Sequence, residues 1–198
     1  MLAGWALLKK PIIVGKSMLI DRKALDALGG FEAFRRYLAE DYIMGRLFSE
    51  AGYRVATNAA WVDAVSSRTS VAAASGRILR WSKMRRTIDP LAFAFEILTN
   101  PLAVSLAALA AAPERAPALI GGTFALVLAL EYASLLYLNP GDAARRPGIL
   151  LLYPPAAVLK ALLCAAAYFI PFFSTSTAWR GRQVRIGRDS VIEDGTKG

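Results

Sequence analysis

Scarcity of charge between residues 91 and 172 constrains this chain more than any other feature. Only eight of these 82 positions are charged, far fewer than a water-exposed surface carries. Three apolar segments lie in the region, at 91–112, 117–138 and 148–173. Each approaches the ~20 residues that a helix needs to cross a bilayer. The sequence therefore predicts a membrane region over 91–173 with about three hydrophobic membrane segments.

Ionisable residues and prolines interrupt these segments. Pro154-Pro155 stands in the third, so we expect its first half to lie in the membrane interface before a shorter crossing. Glu96, Glu131 and Lys160 also fall inside the apolar stretches. Such groups usually face protein or water and are functional candidates. For Glu96 and Glu131 a functional role and a role in helix packing both stay open.

The part before the membrane region is basic. Residues 1–90 hold 15 Lys and Arg against 8 Asp and Glu, and contribute +7 of the chain's net charge of +9. We expect 1–69 to be a water-facing α/β segment. The first predicted helix is Asp21–Leu28, with Asp21 as N-cap and Gly29-Gly30 ending it. The second is Glu40–Ala51, with Ile43, Leu47 and Phe48 on one side. The predicted strands are 11–21, 53–58 and 61–65.

Residues 70–90 form a different element. Apolar residues at helical spacing alternate with basic ones, which predicts an amphipathic helix lying in the membrane interface. The predicted apolar face is Val71, Ala74, Ile78, Trp81, Met84 and Ile88, and the basic residues are Arg77, Arg80, Lys83, Arg85 and Arg86.

The tail, 174–198, is basic as well. Four arginines lie in 179–188, and arginines beside a membrane segment favour the cytoplasmic side. Three full crossings would place the tail opposite the basic N-terminal part. We give the charge rule more weight, because we expect the prolines to break the third segment.

Composition excludes several chemistries. The chain has no histidine, so an imidazole base, a histidine triad and a histidine metal ligand are all absent. Its one cysteine, Cys164, lies in an apolar run and allows neither a disulfide nor a cysteine zinc site. Catalysis by this chain must rest on carboxylates, arginines and backbone groups.

Two short motifs have the right residue types. Glu40-Asp41-Tyr42 opens a predicted helix, where the helix dipole favours an ionised carboxylate that can accept a proton from a hydroxyl. Arg77 and Arg80 are three residues apart on one helix and can hold a diphosphate. Each motif alone is common, as a helix cap or a basic membrane-surface face.

In this order, before hydrophobic segments, the motifs resemble the C-terminal half of the ceramide glucosyltransferase-like family, including bacterial relatives associated with hopanoid synthesis. AEDY, with Asp41, resembles the family's third aspartate motif, and RILRW, with Arg77, Arg80 and Trp81, its (Q/R)-x-x-R-W motif. Further similarity lies in GKSMLI (15–20), LDALGGFEAF (25–34), RILRWSKMR (77–85) and WRGR (179–182).

The resemblance implies an inverting membrane glycosyltransferase with a GT-A-type catalytic domain, a UDP-sugar donor and a membrane lipid acceptor. It assigns Asp41 as catalytic base, and Arg77, Arg80 and Trp81 to the donor diphosphate and active site. Supporting residues on the acceptor side would be Glu40, Tyr42, Gly15 and Ser17.

One departure matters. The family's first aspartate motif and its D-x-D motif, which holds a divalent Mg or Mn, are absent from this sequence. We therefore expect the chain to be part of a longer protein, to be inactive alone and to bind no metal itself.

The alternative is a non-catalytic truncated protein or a subunit that lacks the donor-binding half. Nucleic acid is not an expected partner, because aromatic residues do not interleave with the basic ones. The alanine- and arginine-rich composition suggests a GC-rich bacterial genome, which places a hopanoid or other bacterial lipid slightly ahead of ceramide as acceptor. We therefore expect a bacterial inner-membrane protein, and the arginine rule puts its catalytic part and tail in the cytoplasm.

Overall fold

The computed structural model describes residues 15, 17–56, 70–138 and 147–194. The chain forms two compact units: Met1–Val71 with Thr175–Gly198, and Ala72–Ser174. In the described part of the first unit we number the elements α1 (Arg22–Ala27), α2 (Glu40–Glu50), β1 (Ser176–Trp179), β2 (Arg182–Ile186) and β3 (Ile192–Asp194), with 3-10 turns at Phe31–Phe34 and Arg188–Ser190.

Helix α1 begins and ends where the sequence predicts. The Asp21 carboxylate accepts a hydrogen bond from the Ala24 N–H at 2.9 Å, which satisfies one of the free donors of the first turn. Gly29 then adopts a positive φ of 89°, which favours glycine and ends the helix. The prediction for this helix is confirmed.

Helix α2 is confirmed as well, and it forms the centre of a small core. Ile43 and Phe48 are buried, and Leu47 packs partly buried beside them. The buried members of this core are Ala24, Leu25, Phe34, Ile43, Met44 and Phe48.

A three-stranded antiparallel sheet, in the order β1-β2-β3, is built entirely from the tail. Trp179 pairs with Arg182 across a two-residue loop, Arg180-Gly181, whose φ angles are both positive (48° and 77°). This loop geometry matches the right-handed twist of paired strands. The sequence analysis did not predict this sheet.

The predicted strands of the N-terminal part are not found where they can be checked. Residues 15, 17–21 and 53–56 form no strand. The remaining residues of the strands predicted at 11–21 and 53–58, and all of 61–65, lie outside the described residues. The only sheet among the described residues is that of the tail, so the chain is mostly helical.

The second unit is helical throughout its described part. Its elements are α3 (Val71–Ile88, of which Val71 belongs to the first unit), α4 (Pro90–Glu96), a 3-10 turn (Ile97–Thr99), α5 (Pro101–Ala111), α6 (Ala116–Leu138), α7 (Pro147–Phe169) and a 3-10 turn (Ile170–Phe172). Two stretches are long and apolar enough to cross a membrane, Ala116–Ser134 and Leu151–Phe172.

The first apolar segment is not one straight helix. Pro90–Thr99 and Pro101–Ala111 meet at an angle of 71°, which fits either a broken span or a re-entrant loop. Asn100 stands at the bend and caps α5, because its side-chain oxygen accepts the Leu102 N–H at 2.9 Å. Pro101 follows, and its ring disfavours a helical conformation of the residue before it.

The expected break in the third segment is wrong. Helix α7 runs without interruption through Pro154 and Pro155. A membrane helix tolerates proline, because neighbouring groups and small backbone adjustments satisfy the freed carbonyls. The interruption in the membrane region therefore lies at Asn100 and not at the prolines.

Helix α3 forms where predicted, but its faces do not divide as expected. Val71 and Trp81, on the face predicted to contact the membrane, are 59% and 48% exposed, but Lys83, one of the predicted basic surface residues, is buried together with Ser82. Ser82 Oγ donates to the Ala167 carbonyl oxygen at 2.8 Å, so α3 packs against α7 through polar residues.

Candidate active site

Asp41 is the second residue of α2, and both of its carboxylate oxygens are held by the backbone. Oδ2 accepts the Gly15 N–H and Oδ1 accepts the Tyr42 N–H, each at 2.8 Å. Each oxygen retains a second lone pair, so the carboxylate can still accept a proton from a ligand. The side chain is partly exposed and oriented.

Gly15 approaches Asp41 closely. A Cβ at this position would lie 3.3 Å from Asp41 Oδ2, tighter than an ordinary van der Waals contact. The structure thus brings together two residues that the sequence analysis assigned to one site. It also explains why a glycine suits position 15, because the backbone can reach the carboxylate when no side chain stands between them.

The other residues predicted around Asp41 differ in their surroundings. Tyr42 packs partly buried against the core of the first unit, so its contacts are those of a structural residue. Glu40 and Ser17 are exposed. Among the described residues, neither side chain makes a hydrogen bond that orients it toward Asp41.

The start of α2 is braced by the tail, which the sequence analysis missed. Fully buried Ser190 accepts the Ala39 N–H on its Oγ at 3.2 Å and the Leu38 N–H on its carbonyl oxygen at 2.9 Å. The Ile192 N–H donates to the Arg36 carbonyl oxygen at 2.7 Å. These bonds join residues about 150 positions apart and fix the chain that leads into Asp41.

A second tail contact reaches the middle of α2. Arg46 Nη1 donates to Asp189 Oδ1 at 2.7 Å, and each side chain is 32% exposed. The hydrogen bond to Asp189 raises the pKa of Arg46, although burial lowers it in part. Asp189 and Ser190 both have positive φ angles, 56° and 63°. Such conformations cost energy and persist only where surrounding contacts hold them.

Arg77, Arg80 and Trp81 lie on α3, in the second unit. Arg77 and Trp81 are exposed, and Arg80 is partly buried. Nearby Lys83 is buried, and desolvation lowers its pKa. The structure thus separates the basic residues of α3 into exposed and buried sites, which helical spacing alone did not indicate.

A comparison with family models decides the class of this protein. The model of glycosyl transferase family 21 matches residues 1–192, nearly the whole chain. The chain belongs to glycosyl transferase family 21. The resemblance noted from the motifs is therefore confirmed.

Two curated relatives of this family 21 chain are ceramide glucosyltransferases of Caenorhabditis elegans. Ceramide glucosyltransferase 3 is 40% identical over 76 residues, which is 38% of this chain and 17% of the relative. Ceramide glucosyltransferase 1 is 34% identical over 76 residues, 38% of this chain and 16% of the relative. The matches span less than a fifth of these relatives' length. No solved structure matches the chain.

The resemblance to the ceramide glucosyltransferase-like family implies a divalent Mg or Mn held by the D-x-D motif, which this sequence lacks, and no metal bound by this chain alone. Within the described ranges, no group of three or more His, Cys, Asp or Glu side chains is placed to hold a metal ion. The carboxylates that do face other groups are engaged with backbone N–H groups or with arginine and lysine. The carboxylates of the described residues therefore do not fit a metal site.

Proposed function

We propose that the chain is the acceptor-side part of a membrane-bound transferase that moves a sugar from a nucleotide-sugar donor to a lipid hydroxyl, with inversion. The observation that carries this proposal is the Asp41 carboxylate, fixed by Gly15 and Tyr42 at the start of a helix in a glycosyl transferase family 21 chain. A partly exposed, oriented carboxylate is what a general base requires.

In this mechanism Asp41 takes the proton of the lipid hydroxyl. The hydroxyl oxygen forms a bond to the anomeric carbon on the face opposite the nucleotide, and the bond from that carbon to the diphosphate breaks. Arg77 and Arg80 offset the charge that builds on the leaving diphosphate, which is worth most in the transition state. One displacement of this kind inverts the anomeric centre.

The fold of the first unit supports a topology for this enzyme. The chain up to Val71 and the chain from Thr175 onward both belong to that unit, and Tyr37 pairs with Val191 within it. Because one folded unit lies on one side of a membrane, the segment between Val71 and Thr175 crosses an even number of times. The two spanning helices then supply both crossings, and α4 and α5 enter and leave on the same side. The arginines of the tail support the cytoplasm as that side, because basic residues beside membrane segments favour it.

The names of the relatives favour glucose as the sugar and ceramide as the acceptor. A bacterial hopanoid bearing a free hydroxyl is the second candidate, and it rests on composition alone. The alternative function, a non-catalytic membrane subunit, rests on the absent D-x-D motif.

A transfer assay separates these possibilities. The chain, combined with a donor-binding half that carries D-x-D, is incubated with UDP-glucose and either ceramide, a hydroxylated hopanoid or O-methylated ceramide. We expect a glycolipid from a hydroxylated lipid and none from the methylated one, with an anomeric configuration opposite to that of the donor. No product with either hydroxylated lipid would favour the non-catalytic subunit, and retained configuration would contradict the single displacement.

A further inference from the structure

The second unit contains a half-open cavity of about 220 Å³ lined by the bent pair α4–α5 and the helices α6 and α7. A water molecule takes up about 30 Å³ of liquid, so this space holds several polar atoms but not a whole lipid. Its wall combines apolar residues with Glu96, Asn100, Glu131, Lys160, Cys164 and Tyr168.

Hydrogen bonds keep this cavity open. The Asn100 side chain donates to the Ala161 carbonyl oxygen at 3.0 Å, which fixes the bend against α7. Tyr168 donates its hydroxyl to the Ala94 carbonyl oxygen at 3.0 Å and stacks on Phe93, with ring centroids 4.9 Å apart. The walls are therefore tied to each other on both sides of the cavity.

The charges around the cavity balance. Glu96 receives two hydrogen bonds from Arg85, at 2.8 and 2.7 Å, and Glu131 forms an ion pair with Lys160. A phosphate or carboxylate ligand would have to compete for cations that already have partners. The balance therefore favours an uncharged polar ligand.

Two hydrogen-bonding groups remain available or unsatisfied. The Lys160 side chain is 52% exposed, and an ammonium has three donors, of which Glu131 uses one. Glu131 Oε2 is buried and makes no hydrogen bond of ordinary geometry to a described residue, although Tyr153 is close enough to interact with it. A buried carboxylate oxygen without such a partner is costly, most of all among apolar helices.

We propose that this cavity binds the polar end of an uncharged membrane lipid, one that carries both a hydroxyl and a carbonyl or amide group. A ligand oxygen accepts from Lys160, and a ligand O–H or N–H donates to the carboxylates. The acyl chains remain in the bilayer, against the apolar outer faces of the helices. The proposal rests on the proposed function, because the lipid is the sugar acceptor of that function. It adds a binding site for this lipid in the second unit.

Cys164 provides the probe, because it is the only cysteine in the sequence and lines the cavity. The chain is placed in phosphatidylcholine nanodiscs, and the rate of Cys164 alkylation by an uncharged maleimide is measured. Ceramide at about ten times its dissociation constant should slow alkylation ~10-fold, because ligand then occupies about nine sites in ten. O-methylated ceramide should leave the rate unchanged.

A charge-neutral double variant, Glu131→Leu with Lys160→Met, removes both polar groups without leaving one charge alone. It should alkylate at the wild-type rate without ceramide, which reports an intact fold, and lose protection by ceramide. Thr123→Val is the matched control on α6, since half-buried Thr123 does not line the cavity and its hydroxyl bonds its own helix at the Leu119 carbonyl; it should keep full protection.

Equal alkylation with and without ceramide, or protection that survives in the double variant, would overturn the proposal. So would protection by an anionic lipid instead of ceramide. Alkylation requires no sugar transfer, so failure of this lipid site and failure of the transferase function are separately visible.

Discussion

The first unit buries apolar side chains, whereas the second exposes apolar side chains and connects its helices through polar ones. In the first unit Leu25, Phe34 and Ile43 are buried beneath a charged surface. In the second, leucines such as Leu130 and Leu151 are 59% and 81% exposed, whereas ion pairs and buried polar groups connect the helices. The first pattern is that of a protein in water, and the second that of helices surrounded by lipid.

This difference determines what holds each unit together. Lipid supplies no hydrophobic force between helices, so polar contacts become the specific links. Three side chains in the second unit bond to backbone carbonyls of the last helix or the turn after it: Ser82 to Ala167, Asn100 to Ala161 and Arg86 to Pro171. The first unit relies instead on its core and on the tail that closes it.

Removal of the tail should have the largest effect. Truncation after Ser174 deletes β1, β2 and β3 and the tail's bonds to α2 and the residues before it, so we expect proteolysis within residues 17–56 to accelerate at least ~10-fold. The second unit should keep its resistance, because none of its internal contacts is lost. Limited proteolysis with mass spectrometry measures both regions in one experiment.

Gln183→Ala, an exposed change on β2, is the control for the truncation and should leave both cleavage rates unchanged. If the truncated chain resisted protease as well as the full chain, the tail would not be part of the first unit.

Arg80→Lys should have the next largest effect, a loss of turnover. Lysine lacks the planar fork that binds a diphosphate with two bonds, so we expect turnover to fall at least ~10-fold, about 1.4 kcal/mol of transition-state stabilisation. Turnover of the enzyme assembled with its donor-binding half is measured beside vesicle flotation, which should not change.

Arg115→Lys is the matched control for Arg80→Lys, because Arg115 is exposed in the same unit. Equal, small losses for Arg80 and Arg115 that follow membrane binding would show that α3 serves only as a basic membrane-surface helix.

Lys83 allows a smaller test of polar burial in the second unit. Burial lowers its pKa, so below that pKa the charged form is penalised in the fold, and stability rises as pH approaches the ordinary lysine value. Lys83→Met should raise Tm by about 2–4 °C near neutral pH, and the gain should shrink in alkaline buffer. Arg115→Met should shift Tm little at either pH, and a pH-independent gain for Lys83→Met would contradict the assignment.

The sequence predicted the elements that depend on local signals. Asp21 and Gly29 mark the ends of α1, and the spacing of Ile43 and Phe48 marks the buried side of α2. The low charge of 91–172 predicted membrane helices, and two of the three are continuous enough to span. Each of these predictions needed only neighbouring residues.

The features that the sequence analysis did not predict depend on contacts between residues far apart in the chain. Trp179-Arg-Gly-Arg182 contains a two-residue loop with glycine second, and Val184 and Ile186 alternate as buried residues of β2. These signals could have revealed the hairpin, but nothing local shows that Ser190 braces α2. The bend at Asn100 likewise depends on a bond to Ala161 in another helix.

The central claim is that Asp41 acts as the base, and turnover of Asp41→Asn tests it most directly. Asparagine keeps the size of the side chain but cannot take a proton, so turnover with a hydroxylated lipid should fall by ~10²–10⁴. Donor affinity and the protease resistance of the first unit should not change. Asp26→Asn, an exposed aspartate paired with Arg22 on α1, is the control and should retain wild-type turnover. Near-wild-type turnover of a folded Asp41→Asn enzyme would contradict the assignment of the base.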